Sequence, residues 1–142
     1  MLLYLDKLLN ENSNEFRYHK IYNITGENMQ LDITAEVLLL QLGYTKSDNS
    51  ILQAQKMIDN TKGFEKFAKH IINLHDHIQK MNAYVGLSNK TDYFKIKCDQ
   101  NDAAEILKEF HQEVAHWSNK YNVEVKQLDK KPIYYIIGTK EP

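Results

Sequence analysis

KMNAYVGLSNKTDYFKIK at residues 80–97 and KYNVEVKQLDKKPIYYII at residues 120–137 carry one pattern twice, 40 residues apart. Lys80/Lys120, Asn82/Asn122, Val85/Val125, Lys90/Lys130 and Ile96/Ile136 are identical pairs at that offset. Each passage contains two short alternating runs with a polar break between them. AYVGLS and DYFKIKC flank NKT, and VEVKQL and IYYIIG flank DKKP, which is the signature of a β-hairpin.

Upstream of each hairpin lies a helical pattern. FEKFAKHIINLHDHIQKM (64–81) sets Phe64, Phe67, Ala68, Ile71, Leu74, Ile78 and Met81 on one stripe at the helical period. NDAAEILKEFHQEVAHWSNKY (101–121) does the same with Ala103, Ile106, Leu107, Phe110, Val114, Trp117 and Tyr121. There Asp102 is the expected cap, with Glu105 completing a capping box. The match therefore extends into the helices, pairing Phe67 with Leu107, Leu74 with Val114 and Met81 with Tyr121. The order αββαββ over 63–142 predicts an α+β fold: a four-stranded, mostly antiparallel sheet with both helices on one face.

Residues 1–62 precede this unit within a single domain, as a chain of 142 residues supports. MLLYLDKLLNENSNEF begins as a short amphipathic helix, too charged for a signal peptide. EFRYHKIYNI (15–24) alternates as a strand. ITAEVLLLQL (33–42) is a helix capped by Thr34 and stopped at Gly43. ILQAQKMI (51–58) is a second short helix. These two helices raise a helix-turn-helix, but the connection is long for that motif, and the second helix offers only Gln53, Gln55 and Lys56.

The composition, 42% hydrophobic and 26% charged, is that of a globular protein, and the formal charge of −1 gives no global field for nucleic acid or an anionic membrane. Arg17 is the only arginine, which disfavours bidentate phosphate or guanine recognition. A single cysteine, Cys98, excludes an intramolecular disulfide and fits a cytoplasmic location; no apolar run is long enough for a membrane span.

Strand alternation assigns the candidate site. Phe94 and Ile96, with Tyr134 and Ile136, belong to one face; Tyr93, Lys95 and Lys97, with Ile133, Tyr135 and Ile137, belong to the other. If helices cover the first, the second is too apolar for a wetted surface and too basic for a core. Three readings follow. The N-terminal residues 1–60 lie across it; or it is an interface for a protein target or a second copy; or it is a nucleic-acid platform, with Tyr93 and Tyr135 stacking on bases and Lys95, Lys97 and Lys126 meeting phosphates.

HIINLHDHIQK groups His70, His75 and His77, with His111 and His116 farther on. His70 and His77 are the weak candidates for a metal. Their spacing lacks the i, i+4 closure of a zinc pair, and neither HExxH nor CxxC is present, so no metal or cofactor is expected. Asp76 beside His75 and His77, or Glu113 between His111 and His116, are the available acid–base pairs. No Gly-rich phosphate loop or nucleophile elbow occurs. Cys98 ends a strand on the core face and is expected buried. The chain thus reads as a small non-enzymatic protein of the adaptor, chaperone or inhibitor type, acting by binding another protein or itself. A nucleic-acid module is the alternative, and an enzyme with a His-centred site comes third.

Overall fold

The computed structural model describes residues 33–140, which belong to one compact unit. The helix and strand expected within residues 1–32 lie outside them. The described elements are α1 (Ala35–Gln41), α2 (Asp48–Asn60), α3 (Phe64–Ile78) with a 3₁₀ turn (Gln79–Met81), β1 (Ala83–Leu87), β2 (Phe94–Cys98), α4 (Ala104–Tyr121), β3 (Val123–Gln127) and β4 (Ile133–Thr139). The fold is α+β, with an open antiparallel sheet of order β1-β2-β4-β3.

The αββ order is present twice, and the local chemistry at each helix end is the same. Asn82 and Asn122 both have a φ of 58°, in the left-handed region, and each turns a helical segment directly into a strand. Asparagine tolerates that conformation better than most residues, because its short polar side chain bonds locally.

The ladder follows the same offset. Val85 faces Ile96 and Val125 faces Ile136; Leu87 faces Phe94 and Gln127 faces Tyr134. Between the hairpins, Phe94 faces Ile136, Ile96 faces Tyr134 and Lys95 faces Tyr135. A shift of 40 residues exchanges the first two of these pairs and returns the third to itself. The 40-residue offset thus holds through the ladder. It fails at one place. The register shifts between Glu124 and Val125, which face Gly138 and Ile136, so Ile137 is the extra residue of a β-bulge.

α3 and α4 lie side by side and antiparallel. The Trp117 indole N–H donates to the His70 carbonyl at 3.0 Å and meets the Phe67 ring edge-on at 6.3 Å, while farther along His77 Nε2 stands 3.2 Å from Glu113. Both helices supply the core under the sheet: Phe67, Ile71 and Ile78 from α3, Phe110 and Val114 from α4, against Val85, Phe94, Ile96, Val123 and Ile136, all 0–1% exposed. α3 is the more enveloped, burying Ile72 and His75 besides its expected stripe. α4 buries Phe110, Val114, Trp117 and Ser118, and leaves Ile106, Leu107 and Tyr121 half-covered.

Several boundaries differ from expectation. α2 starts at Asp48 rather than 51, because Ser47 caps it and Ser50 answers with its own hydroxyl, a serine version of the capping box. Asp102 does not cap α4. Ala103 holds the N-cap without a side-chain bond, and Asp102 instead accepts from Asn82 Nδ2 and from the Cys98 thiol. β2 starts at Phe94, so residues 88–93 form a longer connection than NKT, in which Ser88 Oγ accepts from the Lys90 and Thr91 N–H groups. The second connection is tighter: Asp129 and Lys130 both take positive φ, as the central residues of a type I′ hairpin turn do.

Candidate binding face of the sheet

The register brings the expected residues together on the side of the sheet away from α3 and α4. Lys95, Tyr135 and Lys126 form one cross-strand row, with Gly86 of β1 at its end. Lys97 faces both Tyr84 and Ile133 in the next row. Tyr93, just before β2, stacks on Tyr135 with ring centroids 5.7 Å apart and planes 29° from parallel. Tyr93, Lys95, Lys97, Ile133, Tyr135 and Ile137 are all half-buried, and Lys126 is exposed. Ile137 has no partner in the β3 ladder, where it forms the bulge.

Tyr84 completes the face and was missed by reading the strands from β2 and β4 alone. Its alternation with Val85 in AYVGL carried the signal. It is 36% exposed, and the Lys95 ammonium stands 5.9 Å from its ring centre, within cation–π range. The Tyr135 hydroxyl is pulled below the ordinary phenol pKa, first by the hydroxyls of Ser88 and Thr91 and then by the charges of Lys90 and Lys95. Ser88 and Thr91 belong to the β1–β2 connection, so that loop reaches toward this face.

Residues 33–60 lie at the β1 edge. The Tyr44 hydroxyl accepts from Leu87 N–H at 2.8 Å, Gln53 Nε2 donates to the Ser88 carbonyl, and Asn60 Nδ2 donates to the Asp92 carbonyl. A Cβ on Gly86 would stand 2.6 Å from the Tyr44 oxygen, so glycine is what lets that ring approach. The part of the covering expectation that concerns residues 1–32 lies outside the described residues. The helix-turn-helix reading loses a base-reading side chain here, because Gln53 is turned into the fold. Comparisons with protein-family models, curated proteins and solved structures find no match to this chain.

The histidines are dispersed. His75 is buried, and its Nδ1 accepts from the Val85 N–H at 3.0 Å, closing the sheet edge that α3 overhangs. His70 stacks on Tyr121 at 3.7 Å; burial, then the charges of Lys69 and Lys120, hold its pKa below the ordinary value. His77 Nε2 reaches across to Glu113 at 3.2 Å. His111 Nδ1 lies 2.6 Å from the Tyr134 hydroxyl on the helix-covered side. His70 and His77, seven residues apart on one helix, are separated by about 10 Å of axial rise, too far to share one ion. Among the described residues no group of three or more His, Cys, Asp or Glu side chains is placed to hold a metal. No described helix is long and apolar enough to cross a membrane.

Cys98 sits on the core face, 1% exposed, with its thiol directed at the Met81 carbonyl and at Asp102. Burial, followed by the hydrogen bond to Asp102, raises its pKa from 9.0 to about 11. A thiol held protonated in this way is a poor nucleophile at neutral pH.

Proposed function

We propose that this chain is a non-enzymatic cytosolic protein that docks a protein partner on the outer face of its sheet. The observation that carries the reading is the stacked Tyr93–Tyr135 pair, flanked by Ile133 and Tyr84 and ringed by Lys95, Lys97 and Lys126. Half-buried aromatic rings with an aliphatic neighbour supply a central anchor, and lysines around them supply a polar rim, which is the anatomy of a protein interface. A nucleic-acid platform is less well served by the same residues. Each tyrosine already spends one ring face on the other, Glu124 sits beside Lys126 in the exposed edge strand, and the whole chain carries one arginine and a net charge of −1. Among the described residues, the buried Cys98 thiol and the histidines form no nucleophile–base pair.

The experiment is capture of partners by the full chain from cells of its source, with and without nuclease, compared among variants. Partners retained after nuclease, lost on Tyr135→Ala and on Ile133→Ala, and kept by the Lys95→Ala/Lys97→Ala double variant support the reading. Partners lost with nuclease or with the lysines alone overturn it in favour of nucleic acid, whose binding rests on counterion release.

A further inference from the structure

The two edges of the sheet are finished differently. In the first hairpin Ser88 N–H bonds the Tyr93 carbonyl, and the N–H groups of Val85 and Leu87 point off the sheet, to His75 and Tyr44. In the second hairpin Leu128 N–H bonds the Ile133 carbonyl. The same alternation turns the N–H and carbonyl groups of Val125 and Gln127 off the sheet beyond β3. Among the described residues nothing equivalent to His75 or Tyr44 stands there. The one outward group that is bonded is the Val123 carbonyl, which accepts from Ser118 Oγ at 2.6 Å and keeps a second lone pair. Glu124, Lys126 and Gln127 are exposed along this open edge.

We propose that β3 pairs antiparallel with β3 of a second copy of this chain, about a two-fold axis at Val125, joining two sheets into one. The charge pattern selects that register. Centring the pairing on Glu124 sets it against the partner's Glu124, and centring on Lys126 sets it against the partner's Lys126; like charges directly opposite are destabilising. Centring on Val125 places each Glu124 opposite the partner's Lys126. These fall at the close, non-hydrogen-bonded positions, where side chains interact most strongly. Val125 and the partner's Val125 then exchange two backbone hydrogen bonds, and each Gln127 N–H meets the partner's Val123 carbonyl. A lysine on an edge strand ordinarily deters such pairing. Here the glutamate two residues earlier turns that deterrent into a register lock. The pairing does not depend on what the outer face binds.

Sedimentation equilibrium of the full chain over a range of micromolar concentrations tests it. The expected result is a reversible monomer–dimer equilibrium. Val125→Pro removes an N–H that points off the sheet, a position edge strands tolerate, and should leave a folded monomer. Lys126→Glu replaces attraction by repulsion at two symmetric pairs and should weaken the dimer by about tenfold or more. The double variant Glu124→Lys/Lys126→Glu exchanges the charges and should restore it. A chain that is monomeric throughout, or a dimer indifferent to Lys126→Glu, overturns the proposal. So does a dimer lost on Lys126→Glu and not recovered by the exchange, a result that stands whether or not the proline variant folds.

Discussion

Replacing Trp117 by alanine should remove much of this protein's stability, because that side chain joins the two helices to each other. The indole is 5% exposed, edge-on to Phe67 at 6.3 Å and to Tyr121 at 6.2 Å, and its N–H is bonded to the His70 carbonyl. An indole buries roughly 200 Å², which at about 25 cal/mol per Å² amounts to an upper limit near 5 kcal/mol. Large-to-small replacement of buried aromatic residues costs about 3–5 kcal/mol, out of a typical total of about 5–15 kcal/mol. Trp117→Phe keeps a ring between the helices and gives up the hydrogen bond and part of the volume, so it should cost about 1–2 kcal/mol. Trp117 is the only tryptophan, so urea unfolding of the variants must be followed by far-ultraviolet circular dichroism rather than fluorescence. An alanine variant that loses less than about 1 kcal/mol, the scale of a surface change, would refute the side-by-side packing of α3 and α4.

Two further outcomes follow from local chemistry. Asn82→Leu and Asn122→Leu should each cost about 1–2 kcal/mol, because a branched side chain pays the full left-handed penalty, whereas Asn82→Gly and Asn122→Gly should be close to neutral; equilibrium unfolding reads both. For Cys98, folding raises the pKa from 9.0 to about 11, so above pH 9 the unfolded chain gives up the thiol proton first. The sign is therefore a loss of stability as pH rises from 9 to 11, with no such loss below pH 9. Cys98→Ala should show a shallower decline over that window, and the native thiol should react with iodoacetamide far more slowly at pH 8 than the urea-unfolded one.

The sequence made the repeated αββ order legible because hydrophobic period and chain-reversal chemistry agreed. Thr34 and Gly43 bound α1 as read, the Thr34 side chain accepting from Val37 N–H and Gly43 taking a φ of +88°. Asn82 and Asn122 matched as letters and proved to match as left-handed caps. Where one residue had two available bonds, the pattern misled. Asp102 looked like a cap, but it meets Cys98 and Asn82 instead, and Asn82 lies 20 residues away in the chain. Ser47 was overlooked because the residue three positions on is serine rather than glutamate. The helix stripes also differ in depth, α3 burying Ile72 and His75 besides its stripe and α4 leaving Ile106, Leu107 and Tyr121 half-covered.

The candidate face was legible to the extent that strand alternation determines it. The two-residue period placed Lys95, Lys97, Ile133 and Tyr135 on one side without any knowledge of pairing. The contact between Tyr93 and Tyr135 was not readable, because it requires the β2–β4 register. Nor was the bulge at Ile137, which one extra residue in β4 creates. Glu113, which stands between His111 and His116 in the sequence, meets His77 of the neighbouring helix, a contact that the sequence spacing does not indicate.

The most direct test of the outer face as a protein-docking surface is photo-crosslinking inside the source cell. p-Benzoylphenylalanine in place of Tyr135 lies at the centre of the face; the same group in place of Lys108 lies on an exposed position of α4, on the opposite side of the sheet. A discrete protein adduct from the Tyr135 position, resistant to nuclease and absent from the Lys108 position, is the predicted result. Adducts that are nuclease-sensitive, or that form equally from both positions, would contradict it.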